Sequence, residues 1–186
     1  VQVGTSIENN ETAGISHLLE HLIFRDERIP TKIYISYLND EGATYVNGYT
    51  SQNITEYIAT IDSKKSYWLV KTFFDMIFDK KINKNDLEEV RDSMKVEIGD
   101  MKWYHTSVYH LNNFIDWVAG IFPSALEMYY HAFSLEHEHT LPTEFYSIKN
   151  SKVFTLAQLM KHYDEYYYPS NMSLKIVGNF DEQKMK

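Results

Sequence analysis

Gly14-Ile15-Ser16-His17-Leu18-Leu19-Glu20-His21-Leu22-Ile23-Phe24 is the stretch on which the fold of this chain turns. Ile15, Leu18, Leu19, Leu22 and Ile23 recur at the spacing of one helical face, so a core-facing helix is expected over residues 12–24. Ahead of it Asn9, Asn10, Glu11 and Thr12 offer several N-cap candidates, whose side-chain oxygens can take up the unbonded N–H groups of a first turn. On such a helix His17 and His21 stand about 40° apart, with Glu20 on the same side.

Two imidazoles one turn apart can grip a single metal ion, and a carboxylate between them can reach a water on that ion. His-x-x-Glu-His is the pattern of the inverted zinc peptidases. By itself the pentapeptide is only suggestive, because a chain with eight histidines can bracket a glutamate by chance. Catalytic zinc takes three protein ligands and keeps one position open. The chain has no cysteine, so the third ligand must be His, Asp or Glu. Glu97 is the best candidate. It lies in a run from Asp86 to Ile98 that reads as a helix, with Leu87, Val90, Met94 and Ile98 inward and Glu97 beside that stripe. The ordinary fate of such a glutamate is to be a solvated helix carboxylate.

Further stretches give the pentapeptide a context. Gly42-Ala43-Thr44-Tyr45-Val46-Asn47-Gly48-Tyr49-Thr50, with Thr55 and Tyr57 beyond it, resembles the Gly…Asn-Ala-x-Thr strand of the M16 metallopeptidases, the family of pitrilysin, insulin-degrading enzyme and the mitochondrial processing peptidase. Gly14 to Phe24 resembles that family's motif helix, and Glu97 follows His21 at about the family's interval for its glutamate ligand. Tyr166-Tyr167-Tyr168-Pro169-Ser170-Asn171-Met172 and Ile176-Val177-Gly178-Asn179-Phe180 resemble the segment that closes the family's N-terminal catalytic domain. The likeness spans essentially the whole chain. It implies a zinc endopeptidase acting on peptides or small unfolded polypeptides, with His17, His21 and Glu97 holding Zn²⁺ and Glu20 as general base. It also implies that a peptide substrate is added at the strand bearing Asn47 and Gly48. A second M16 half-domain, fused or separate, would complete the site with an Arg and a Tyr. Two positions depart from the family. Many members carry a glutamate supporting the metal site where this chain has Val90, a change on the scale of ten- to a hundredfold in metal affinity. The family's alanine after the strand asparagine is Gly48 here. A non-catalytic homologue serving as a recognition or structural subunit, and a peptide-binding module that pairs without hydrolysing, are the competing readings. S-ribosylhomocysteine lyase shares the motif but needs cysteines, which excludes it.

Composition agrees. At 186 residues and 44% hydrophobic, the chain can bury one substantial core. A net charge of −8 without a Lys/Arg cluster argues against nucleic acid as a partner. Phe114 to Phe122 is too short to span a bilayer and is broken by Asp116. Zero cysteines exclude a disulfide framework but fit the cytosol, the mitochondrial matrix or a bacterial exterior about equally, the cytosol slightly favoured. Val1-Gln2-Val3-Gly4 reads as a strand already under way. Residues 1–186 are therefore expected to be one M16 N-terminal domain from a longer protein, lacking the first strand and the second half.

Along the chain, alternation and periodicity predict a short strand over Val1–Ile7, the motif helix, and a helix from Thr31 to Asp40. Strands are expected at Thr44–Thr50 and Ile54–Ile61, then helices over Ser63–Phe78, from Asn85 through Glu97, and from a Thr155 cap to Tyr167. Met172–Gly178 reads as a last strand, and residues 124–153 as irregular. The class is α+β, helices on one face of a largely antiparallel sheet. His131, His137, Glu138 and His139 could form a second metal site, though a solvated loop is the better reading. His105, His110 and His162 read as surface or packing residues, and the tyrosines at 163 and 166–168 as core.

Overall fold

The computed structural model describes residues 1–9, 11–94 and 153–185. The motif helix, α1, runs Ile15–Ile23, shorter than the apolar pattern alone implies. Its start is set by Gly14, whose φ of 90° lies in the left-handed region that glycine enters without a side-chain clash. The expected first turn is instead a separate loop, in which Asn9 Oδ1 accepts from the N–H groups of Glu11 and Thr12. Seven of the nine α1 residues are buried, and only His17 and His21 are partly exposed. A helix enclosed on almost every side belongs in a core, and this one presents its histidine pair through the remaining opening.

Beyond α1, α2 runs Tyr34–Asp40 and a hairpin follows. Its strands, β1 (Tyr45–Thr50) and β2 (Thr55–Thr60), are antiparallel, with Tyr45 opposite Thr60 and Thr50 opposite Thr55. Ser51 N–H donates to Ile54 O at the turn. In this unbroken register, Tyr45, Asn47 and Tyr49 therefore spend their backbone groups on β2, while those of Val46, Gly48 and Thr50 point off the opposite edge. Side chains alternate likewise. Val46, Gly48 and Thr50 face α1, and Tyr45 and Tyr49 lie on the exposed face. A 3₁₀ turn at Ser63–Lys65 leads into α3 (Ser66–Phe78), and residues 84–94 form α4. After the intervening stretch come α5 (Leu156–Tyr166), a 3₁₀ turn at Pro169–Asn171, and α6 (Glu182–Met185). Thr155 caps the start of α5, as the sequence led one to expect, and Gln158 completes a reciprocal capping box with it.

The core lies where α1 meets the hairpin, α4 and α5. Leu18, Leu19, Leu22, Ile23, Met94 and Leu159 have no exposed surface there. Each such aliphatic side chain contributes about 1.5–3 kcal/mol by leaving water. Tyr163 and Tyr167 of the aromatic cluster are buried, whereas Tyr168 stays exposed. Tyr163 donates to Ile77 O at 2.6 Å and the Tyr57 and Tyr167 hydroxyls share a hydrogen bond of 2.8 Å, tying α5 and its end to α3 and β2.

Two expected strands are not formed. Over Val1–Ile7, only Val1 exchanges backbone hydrogen bonds with Thr55. The chain then bends into a 3₁₀ turn at Thr5–Ile7, because Ser51 O and Gln52 O of the hairpin turn capture the N–H groups of Thr5 and Ser6. Met172–Gly178 joins no sheet. It forms one wall of a groove of about 810 Å³ that is also lined by β2 and α3. Its Leu174 and Val177 are exposed accordingly. Among the described residues the sheet has two strands, and α1 packs across one of its faces. Glu97, the four histidines His105, His110, His131 and His137, the pair Glu138–His139 and the segment 124–152 lie outside the described residues.

Candidate metal and catalytic site

The two histidines of α1 converge. His17 Nε2 and His21 Nε2 are 3.1 Å apart, with ring centroids at 4.8 Å. Nitrogens this close need either a proton on one, hydrogen-bonded to the other, or a cation shared by both. A tetrahedral zinc with Zn–N bonds of about 2.0–2.1 Å would hold two such nitrogens roughly 3.3 Å apart. The donor chemistry and the spacing therefore fit zinc. Among the described residues no third His, Asp or Glu joins the pair, and Glu97 is not among them.

Glu20 is 5% exposed and faces β1. Thr50 Oγ1 donates to its Oε2 at 3.0 Å. Gly48 lies against the same carboxylate, with Phe24 beside it. The buried hydroxyls of Tyr57 and Tyr167 feel the charge of Glu20, and burial first, with that charge added, holds both phenols protonated well above their usual range. Asn47, on the strand's other face, folds its side chain along the edge, where its Oδ1 accepts the outward-pointing N–H of Gly48 at 3.0 Å.

The histidine-bearing helix is held at both ends by groups of opposite sign, Glu8 buried and Lys80 half-buried. At its N-terminus the Glu8 carboxylate accepts from Gly14 N–H at 2.6 Å and Ser16 N–H at 2.9 Å. Burial pushes that carboxyl up, and the two N–H donors oppose the rise. At the C-terminus Lys80 Nζ donates to Ile23 O at 2.5 Å and to Arg25 O at 2.6 Å. Burial pulls the Lys80 amine down to about 7, and each group in its ionised form matches the pole of the helix dipole it meets. Ser16 Oγ and His162 Nε2 of α5 are 3.2 Å apart, and burial pulls that imidazole down to about 4. None of Glu8, Lys80 or His162 stands out in the sequence as part of this site. Glu8 and Lys80 lie outside the motif, and only folding brings them to its ends.

Val90, at the position where many M16 members carry a supporting carboxylate, is 1% exposed and packs in the core. The adjacent Glu89 turns outward to Arg25, at 2.5 Å.

Set against known proteins, this arrangement has relatives. The family profile for insulinase (peptidase family M16) matches residues 1–115, and the chain belongs to that family. An uncharacterized zinc protease of Rickettsia felis is 24% identical over 184 residues, covering 99% of this chain and 40% of the relative. An uncharacterized zinc protease of Bacillus subtilis is 28% identical over 98 residues, covering 53% of this chain and 24% of the relative. The beta subunit of the mitochondrial-processing peptidase of Neurospora crassa is 27% identical over 92 residues, 50% of this chain and 19% of that protein. A protease from Helicobacter pylori has the same fold, with a TM-score of 0.58 over 91% of this chain and 37% of its own, at 19% identity. The chain thus spans between a fifth and two-fifths of the length of these proteins.

Proposed function

We propose that this chain is the zinc-binding, catalytic part of a metalloendopeptidase that hydrolyses peptides or small unfolded polypeptides. The observation that carries the reading is the convergence of His17 and His21 on the one open stripe of a buried helix, with Glu20 between that helix and β1. His17 and His21, with Glu97, are the residues that would hold the metal. Bound zinc would supply Lewis acidity toward the scissile carbonyl and toward water.

The remaining work falls to the chain itself. A carboxylate oxygen of Glu20 takes the proton of the attacking water and passes it to the leaving amine. The edge of β1 receives the substrate in extended form, since the backbone groups of Val46, Gly48 and Thr50 point outward. Asn47 exchanges its bond to Gly48 for the peptide backbone. Pairing through the main chain tolerates many sequences, so shape and extension outweigh a strict motif. A second M16 half, fused or separate, closes the site around the substrate.

In the full-length protein, Glu20→Gln should keep its zinc and lose about 10²–10⁴-fold in peptide cleavage; full activity in that variant removes the base assignment. Glu97→Ala should lower zinc content, and an unchanged stoichiometry would point to another third ligand. A non-catalytic recognition subunit is the second reading, favoured by the apolar burial of Val90 where a supporting carboxylate is common. Equal, negligible turnover by the wild type and Glu20→Gln, with peptide binding retained, would select it.

A further inference from the structure

Glu20 is held from the side of the strand. Its Oε2 accepts the Thr50 hydroxyl at 3.0 Å. Its Oε1 lies where a residue other than glycine would carry a side chain. A Cβ built on Gly48 would come within 2.4 Å of Oε1 and 2.8 Å of Phe24 Cε2. Thr50 and Gly48 both belong to the α1-facing set of β1. We propose that Thr50 is a positioning residue for peptide hydrolysis, its hydroxyl fixing the Glu20 carboxylate in the space that Gly48 leaves open.

This inference rests on Glu20 being the base. A glutamate has three rotatable side-chain bonds, and losing that freedom costs on the order of 1.5–2 kcal/mol. Fixing the carboxylate in one orientation takes a rigid donor. Thr50 suits the task, because a β-branched side chain is stiff at χ1 and the residue is set in a paired strand. A hydroxyl donates to an ionised carboxylate, the form that accepts a proton. Misplacing a reacting group by about 1 Å can cost about 10²-fold in rate, so the effect of Thr50 should fall on turnover and not on substrate affinity.

The test uses the full-length, zinc-loaded protein carrying Thr50→Val, which keeps the shape and removes the donor, and Thr50→Ser, which keeps the donor. Thr50→Val should lose about 10–100-fold in kcat with KM within about twofold and zinc stoichiometry unchanged. Thr50→Ser should recover kcat to within about threefold. Thr50→Ala serves in place of the valine variant if the added methyl disturbs the strand. A second readout is independent of turnover. In crystals of the metal-free variants, the Glu20 carboxylate should leave its place beside Gly48 in Thr50→Val and keep it in Thr50→Ser. Wild-type kcat in Thr50→Val, or an unmoved Glu20 in its crystal, overturns the proposal. If the wild type cleaves no peptide, the reading of Glu20 as base fails on its own, and the crystals still decide whether Thr50 holds the carboxylate.

Discussion

At Gly48 a single methyl group would press on two neighbours at once, the Glu20 carboxylate and the Phe24 ring. Phe24 is 4% exposed and in contact with Tyr57, so it has little room to retreat. Gly48→Ala should therefore displace Glu20 and lower stability by about 1–3 kcal/mol, the usual scale of overpacking. A thermal melt reads the second effect, and an unchanged midpoint would mean that the strand yields instead. In the sequence, glycine in place of the family's alanine looks like a mild change, because the contact that gives it meaning crosses from strand to helix. Thr50 belongs to the recognisable strand motif, but its bond to Glu20 is hidden for the same reason. Alternation places Val46, Gly48 and Thr50 on one side of the strand, but it does not say what waits there. His17, Glu20 and His21 are legible because their geometry is contained in one helical turn.

For α1 as an element, what matters is how its ends are held. Replacing Glu8 by alanine would strip the carboxylate from two N–H groups at a buried helix start, a loss of about 1–3 kcal/mol for each donor left unpaired. Glu8→Ala should accordingly lower the unfolding midpoint and loosen zinc, while a surface change such as Tyr67→Ser on α3 should do neither. His162 adds a pH dependence. Its folded-state pKa of about 4 lies below the ordinary 6.5, so between those values the unfolded chain binds a proton that the native one refuses. The stability is complete above about pH 6.5 and falls as the pH drops toward 4, by up to roughly 3 kcal/mol. Denaturation of the wild type and His162→Gln across that window should show the extra acid loss only in the wild type; parallel curves would refute the assignment. Helices were the more legible elements, since their periodicity and caps are local. The strands expected at Val1–Ile7 and Met172–Gly178 show the limit. Extended, apolar sequence becomes a strand only where a partner edge lies within hydrogen-bonding reach, and that is a property of the rest of the fold.

Across the molecule, the proposed metal joins segments far apart in the chain, His17 and His21 of α1 and Glu97 beyond α4. Zinc at a hundredfold excess over its dissociation constant should then add about 2.7 kcal/mol to stability. Calorimetry of the full-length protein with and without the ion would measure it, and a comparable gain in a His17→Ala, His21→Ala double variant would place the ion elsewhere. The α+β class and the hairpin were readable from alternation and periodicity. The groove between β2 and the 172–180 segment was not, because apolar residues in both walls look like core until their separation is seen. Asn47 carries one more consequence. By folding its amide back onto its neighbour's N–H, it leaves the margin of the sheet without an idle donor at that point. Sheet margins with idle donors invite copies of the same protein to stack and gel. Here Asn47 shuts the margin at Gly48 alone, and a guest must outcompete that one side-chain amide there.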